Sequence, residues 1–515
     1  MSNTSLLKLE IRIAVFLFLY INGFNAFSQK EGNNWLQGTG GNGASIFNFN
    51  ESITEITPYF IGIEFANNNS CISDSSGTLL FYTNGIEIAD RQNHILPHGH
   101  IAGFTGYPTQ NILEYDMTES TLILAKPGDD SIYYFFKQSL DDAFICSDVF
   151  GYGLINKNAN NGLGDVISDQ NILLSFPDST NPSVYATRHA NGRDWWIIKP
   201  GYTNYLYTFL LSPNGIEFIE KQQITKDSTY HILYFGGAFA PSGEKFALIS
   251  VFDPWYGSMC KADLFNFDRC TGKFSFVERF YNYNAPANES VFMGFTMEFS
   301  PNSKLIYVAN SQHIFQFDTE SQNVSQTADT IATYNGFIDT IGNLVGAVSF
   351  YSIKLSANNH LYLSSASTHY IHEIENPDIK GIGCNFNFCK YQLHYYSNFR
   401  LPHLPNYKLG PIDGSVCDSL GIDNPIAVEE QKPEPNFSIY PNPAKGHFFV
   451  RSEQNQPCQI QVINALGQLA LKAELKQGKG SVKINIPPGL QGLFVVEIYQ
   501  NNQIKLRGKL VVEGE

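Results

Sequence analysis

Charge is thin in this sequence. Asp, Glu, Lys and Arg make up 16% of its 515 residues, and methionine occurs only 5 times. Long surface helices draw on Ala, Glu, Lys and Leu, so a mainly helical protein is excluded. Positive charge is the scarcer sign: 33 Lys and Arg face 48 Asp and Glu, a net charge of −15, with no basic cluster to offset it. A phosphate-binding surface needs local positive charge, so no nucleic-acid partner is expected, and the acidity suits solubility outside the cell. After the first 28 residues no apolar run reaches the roughly 20 residues that span a bilayer, so no transmembrane segment is expected in the mature chain. The sequence also lacks a G-x-S-x-G nucleophile elbow, an H-E-x-x-H zinc motif, a phosphate-binding P-loop and an EF-hand calcium loop. No catalytic residue, metal ligand or cofactor is therefore assigned.

What is abundant points to strands. Aromatics reach 14%, with 40 Phe and 28 Tyr, and there are 42 glycines. Aromatic residues suit the pleated surface of a sheet and glycine the turns between strands. At the start of the chain, Lys8 and Arg12 precede the apolar run "IAVFLFLYI" from Ile13 to Ile21, followed by "AFSQ". Ala26 and Ser28 stand where signal peptidase requires small residues, so residues 1–28 read as a signal peptide with Gln29 as the new N-terminus. All eight cysteines lie beyond it, and an even count in an exported chain permits disulfides. "CKADLFNFDRC" sets Cys260 and Cys270 on two strands of a hairpin, and "CNFNFC" brings Cys384 and Cys389 into one loop. These are the candidate disulfides.

A turn followed by an apolar run recurs six times, at intervals of 51 to 64 residues. The copies are "SDSSGTLLFYTNG" from Ser73, "AKPGDDSIYYFF" from Ala125, "HANGRDWWIIK" from His189, "APSGEKFALIS" from Ala240, "SPNSKLIYVAN" from Ser300 and "SANNHLYLSS" from Ser356. A four-stranded blade with tight turns takes roughly 40 to 50 residues. One blade exposes both faces, so blades are stable only when stacked radially against each other. The expected body is an all-β propeller of six or seven blades over residues 29–410, closed by the strand near "GASIFNFN" pairing with the last blade. The stretches "CISDSSGTLLFYTNG", "HANGRDWWIIK", "LFNFDRCTGKFS" and "LPHLPNYKLG" resemble WD-like propeller repeats of secreted Bacteroidetes proteins, without the Trp-Asp dipeptide of the intracellular kind.

After "LPNYKLGP" the pattern stops, and residues 411–435 read as an acidic, proline-bearing linker. From residue 436 the alternation returns, as in a small Ig-like β-sandwich. It opens on "FSIYPNPAKGHFF", two apolar strand-like pieces broken by Pro441 and Pro443. Prolines cannot donate to a sheet ladder, so Pro441 and Pro443 must lie outside one. The unit 436–515 closely resembles the type A C-terminal sorting domain of the type IX secretion system, at Tyr440, Pro441, Asn442, Pro443, Ala444, Gly467 and Gly492. Phe494 stands where that family has tyrosine, and the chain ends in "VEGE" rather than in a basic residue. The resemblance implies passage through the periplasm of a Gram-negative bacterium, engagement of the type IX machinery, and release or retention at the outer-membrane surface.

Within the body, "HILPHGH" gathers His94, His98 and His100, which read as solvated loop histidines rather than metal ligands. Asp129 and Asp130 are adjacent and read as turn formers. In "SDSSGT", Asp74 lies three residues before Gly77, one more than in the turns of sialidase-like propellers. Trp195 and Trp196 face opposite sides of one strand and read as core. Two functions stay open. The first is a binding module for a glycan, a peptide or a surface protein, with Trp255 and Tyr256 as candidate contacts. The alternative is an extracellular hydrolase or lyase with acids converging on the central channel.

Overall fold

A computed structural model describes residues 29–512 apart from 40–42, 51–54, 66, 102, 106–118, 141–146, 202–203, 225–235, 253–258, 285–295, 342–343, 398, 421–436, 453–456, 465–467, 476–479 and 501–502. The chain divides after Asn424 into two compact units.

The first unit is built from antiparallel sheets taken strictly in chain order. Among the described residues there are a two-stranded ribbon, Ile338–Ile341 with Leu344–Ala347, one three-stranded sheet and six four-stranded sheets; the last seven are called here blades 1 to 7: 34–59, 70–100, 123–180, 185–223, 237–284, 296–333 and 352–392. The second strands are continuous apolar runs, because both faces of each blade are covered. Leu79–Thr83, Trp195–Pro200 and Leu305–Ala309 are buried at every position. The fourth strands are far more open, as in Gly215–Gln223 and Asp329–Thr333. Burial thus falls from the axis outward, as radial stacking demands.

Apolar clusters join each blade to the next. Phe81, Phe135, Trp195 and Phe209 tie blades 2, 3 and 4. Trp196 meets Phe265 and Phe274 of blade 5. Phe280 packs on Phe317 of blade 6, and Tyr307 belongs to the cluster of Phe350 and Leu363 in blade 7. The ring closes where Trp35 and Phe47 of blade 1 pack edge-on against Tyr362 of blade 7, while Leu36 joins the cluster of Cys71 and Tyr82 in blade 2. The count is seven. Closure differs from the sequence expectation: Gly43–Asn48 pairs with Asn34–Thr39 and Glu55–Tyr59 inside its own sheet. It meets blade 7 through side chains.

The six repeated turns all join the first and second strands of blades 2 to 7. Each places one residue at positive φ: Gly77, Gly128, Gly192, Gly243, Ser303 and Asn359. Only this left-handed residue lets the chain reverse so tightly, which is why glycine occupies four of the six positions. Blade 1 has no copy of the motif because its first strand runs the other way. Asn34, at the start of that strand, donates to Ser73 Oγ and Gly77 O at the far end of the neighbouring inner strand, and Asn69 at the near end donates to Leu36 O.

The cysteine pairing is also different from the candidates. Cys270 is bonded to Cys417, with their Cα atoms 5.7 Å apart, while Cys260, Cys384 and Cys389 are free. Cys260 is buried in the contact between blades 5 and 6 and stands opposite Tyr283 in the hairpin, whereas Cys270 lies in the turn at its other end. The bridge holds the start of the supposed linker against blade 5, and Ile412 N adds a bond to Ala190 O. The first ten residues of that segment therefore belong to the ring.

The bond closes a loop of 147 residues, for which chain entropy alone gives up to about 5 kcal/mol of stabilisation. Non-reducing peptide mapping should recover Cys270 cross-linked to Cys417. Cys417→Ser should lower the denaturation midpoint of the ring without altering its far-UV spectrum.

Candidate functional site

The central channel is not empty. After blade 7 the chain turns inward, and residues 400–410 run lengthwise beside the inner strands. Leu401 N donates to Ser352 Oγ, and His403 bonds to Asn69 O, Ser70 Oγ and Val184 O, all at the beginnings of inner strands. Asn406 then donates to Pro241 O, Lys408 to Ala357 O, and Arg269 to Gly410 O, all at the far end. Leu404 and Tyr407 fill the middle, with Tyr407 edge-on to Trp195 at 5.9 Å and its hydroxyl on Ile123 O.

Around this segment four blades converge on one carboxylate. Glu119, which leads into blade 3, is buried on the axis. Lys354 of blade 7 donates to its Oε1 at 2.5 Å. Tyr185 OH of blade 4 donates to Oε2 at 2.9 Å and Gly237 N of blade 5 at 3.3 Å. Burial works against this charge, yet Lys354, His403 and Arg400 together hold the carboxyl down at about 2. The same burial keeps the neighbours neutral: the Tyr185 phenol is pushed well up and His403 falls to about 4. Arg400, fully buried, lies over the Tyr351 ring at 5.5 Å.

Blade 6 contributes a second acid. Burial raises Glu298 to about 7 against the opposing pull of Lys354, and the Glu119 charge adds to the rise. Its Oε1 accepts a bond from Phe299 N. Glu298 lines two cavities on either side of Leu404–Asn406. One, of about 50 Å³, also touches Tyr185, Lys354 and His403. The other, of about 300 Å³, lies toward the far end between Trp35, Phe239, Ala357, Asn406 and Lys408.

In the second unit, two sheets share their first strand. Phe437–Tyr440 pairs with Ser452–Phe449, whereas Ala444 pairs with Val512 in the other sheet. Pro441 and Pro443, both after cis peptide bonds, occupy the crossing, where no ladder donor is needed. Asn442 Oδ1 supplies the missing acceptor to Val511 N at 2.8 Å. Tyr440 stacks on Phe449 at 5.6 Å, and Ala444 is buried among Phe494, Leu510 and Val512. Gly492 opens a strand at φ 110°; Gly467 lies outside the described residues.

Residues 438–513 match the family model described as a secretion system C-terminal sorting domain. The chain carries a type IX sorting domain. Its body is a propeller, and the sorting domain implies export to the cell surface or the extracellular space. No curated protein is significantly similar to the chain. Among solved structures, a functionally unknown protein from Desulfotomaculum acetoxidans is 11% identical, with a TM-score of 0.42 over 74% of this chain and 100% of its own. A streptogramin B lyase is 11% identical, with a TM-score of 0.34 over 65% and 91%. The propeller domain of Cps50 (Swd1) from Myceliophteria thermophila is 7% identical, with a TM-score of 0.34 over 65% and 93%.

The residues singled out in the sequence do not assemble into a site. His98 and His100 each face a separate acid, Asp165 at 3.0 Å and Glu87 at 3.1 Å, and His94 lies 4.0 Å from Asp90. Among the described residues no cluster suits a metal ion. Asp129 accepts from Ser131 within its turn, and Asp130 pairs with Lys157. Trp195 and Trp196 are buried on opposite faces of blade 4. Trp255, Tyr256 and the signal segment 1–28 lie outside the described residues. No helix among the described residues is long and apolar enough to cross a membrane. Sequence reading missed Glu119, Glu298, Lys354 and His403, which come from four distant stretches.

Removing one partner of a buried ion pair leaves the other uncompensated, at a cost of about 3–5 kcal/mol. Glu119→Gln should lose about that much in denaturant unfolding, and Glu119→Gln with Lys354→Met should lose less than the two single changes summed. The two acids should also differ in pH response. Glu119 contributes stability above pH 4.5 that disappears as pH falls toward 2. Glu298 does the reverse: it stays protonated in the folded ring while ionising in the unfolded chain, so its contribution falls as pH rises from 4.5 to 7. His403 and His372, both lowered to about 4, act oppositely below pH 6.5. The clean readout is the difference between wild type and Glu298→Gln, which should shift against the wild type across that window and flatten above it.

Proposed function

We propose that the chain is a secreted or surface-held propeller that binds a glycan, a peptide or another surface protein, and that its channel does not house a hydrolytic centre. The observation that carries this reading is the state of the two axial acids. Glycoside hydrolysis commonly needs two carboxylates flanking the bond. Both oxygens of Glu119 are taken by Lys354, Tyr185 and Gly237, and the larger cavity has Glu298 as its one acid among the lining residues. A residue placed to bind, with no partner to complete a reaction, suits recognition.

The hydrolase or lyase reading keeps one specific support, the raised Glu298 beside a cavity, since a carboxyl near 7 can serve as a general acid. An activity on extracellular glycans abolished by Glu298→Gln with folding intact would favour it.

Export rests on the second unit. Deleting residues 425–515 in the native host should leave the propeller in the periplasm, read by immunoblot of fractions. Residues 29–424, which retain the Cys270–Cys417 bridge, should give selective signals on glycan and surface-protein arrays. Uniformly blank arrays would remove the binding reading.

A further inference from the structure

The larger cavity holds one acid and one base that do not pair with each other. Glu298 and Lys408 both line it. The charges acting on Glu298 are those of Lys354 and Glu119, and those acting on Lys408 are Glu31 and Lys30. Lys354 is hydrogen-bonded to Glu119, not to Glu298. Both groups stay accessible, Glu298 half-buried and Lys408 exposed. Both also keep bonding capacity. Glu298 accepts from the backbone N–H groups of Phe299 and Leu355, about half of what a carboxylate can take. Lys408 Nζ donates to Ala357 O, and the half-buried Asn406 Nδ2 to Pro241 O, each with N–H groups to spare. The acid lies inward and the base outward. Glu298 also lines the small inner cavity beside Tyr185 and His403, which Lys408 does not line, whereas Lys408 reaches a repeated turn at Ala357.

An acid and a base facing one cavity select a ligand that carries both charges. A cation alone would be set against Lys408, and an anion alone against Glu298. A neutral ligand would strip water from both charges and compensate neither. A zwitterion matches both, its cation inward and its anion outward, where Asn406 adds an amide donor to Lys408. Burial raises Glu298 to about 7, and an ammonium beside it favours the carboxylate, so the acid is charged once the ligand is in place. Trp35, Phe239 and Leu355 also form walls and suit an apolar side chain. The volume of about 300 Å³ lies at the small end of ligand pockets, room for one residue and not for a peptide chain.

Going beyond the binding reading above, we propose that this cavity binds one free α-amino acid with an apolar side chain, its ammonium on Glu298 and its carboxylate on Lys408 and Asn406. The side chain lies against Trp35 and Phe239. A residue within a peptide has lost at least one of the two charges, so the site reads a monomer and not a chain.

The test is calorimetry and saturation-transfer NMR on the full exported chain, with leucine, methionine, phenylalanine and tryptophan as probes. For each, the N-acetyl form lacks the ammonium, the amide lacks the carboxylate, and the homodipeptide moves the two apart. At least one of these amino acids should bind with a Kd of about 1 mM or tighter, and its three modified forms at least about tenfold more weakly. Two variants assign the ends. Glu298→Gln should weaken the amino acid at least about tenfold without weakening its N-acetyl form, because only the ammonium loses a partner. Lys408→Met, at an exposed position, should weaken the amino acid without weakening its amide, and serves as the check if Glu298→Gln fails to fold. Failure of every amino acid to bind at about 20 mM would overturn the proposal, as would equal binding of a capped form, preference for the dipeptide, or undiminished binding in either folded variant. Array signals without amino-acid binding would defeat this inference and leave the broader binding reading standing; amino-acid binding with blank arrays would do the reverse.

Discussion

A ring of seven sheets has an axis, and something must occupy it. Here the occupant is a buried carboxylate, Glu119, tied to blades 4, 5 and 7 from its place at the head of blade 3. An isolated charge in that position would cost several kcal/mol. Paired with Lys354 and bonded by Tyr185 and a backbone amide, it becomes a fixed point that sets the relative heights of four blades. The segment 400–410 depends on this point and reinforces it. His403 packs edge-on against Tyr185 at 5.4 Å, and Arg400 helps hold Glu119 ionised.

That segment also explains the odd first blade. Six blades begin with an inner strand running one way, and blade 1 begins with a strand running the other. The missing direction is supplied by residues from the opposite end of the ring, with Leu401 and Leu404 packed beside Trp35. The ring is thus closed by both of its ends, and the Cys270–Cys417 bond locks the second of them in place. What remains of the channel beside this segment is a cavity of about 300 Å³.

The architecture was legible because its signals are local. A left-handed turn followed by an apolar run is written in a dozen consecutive residues, and six copies revealed six blades. The sorting domain was legible for the same reason, since Tyr440, Pro441, Asn442 and Pro443 meet the demands of one strand crossing between sheets. The count stayed at six or seven because the remaining blade lacks the turn. The axial site escaped because each member comes from a different blade, and nothing near Glu119, Glu298 or Lys354 distinguishes it from other polar residues at a strand end. The disulfide escaped because Cys270 and Cys417 are 147 residues apart, while two nearer pairs offered plausible spacing.

The integrity of the ring depends on residues 400–410 being part of it rather than its trailing end. Hydrogen exchange of the inner strands, compared between a chain ending at Asn424 and one ending at Phe399, measures this directly. Slow exchange at Tyr185–Arg188 and Ser352–Leu355 in the longer chain, and its collapse in the shorter one, is the predicted result. Equal protection in both would show that the seven blades hold together without the 400–410 segment on their axis.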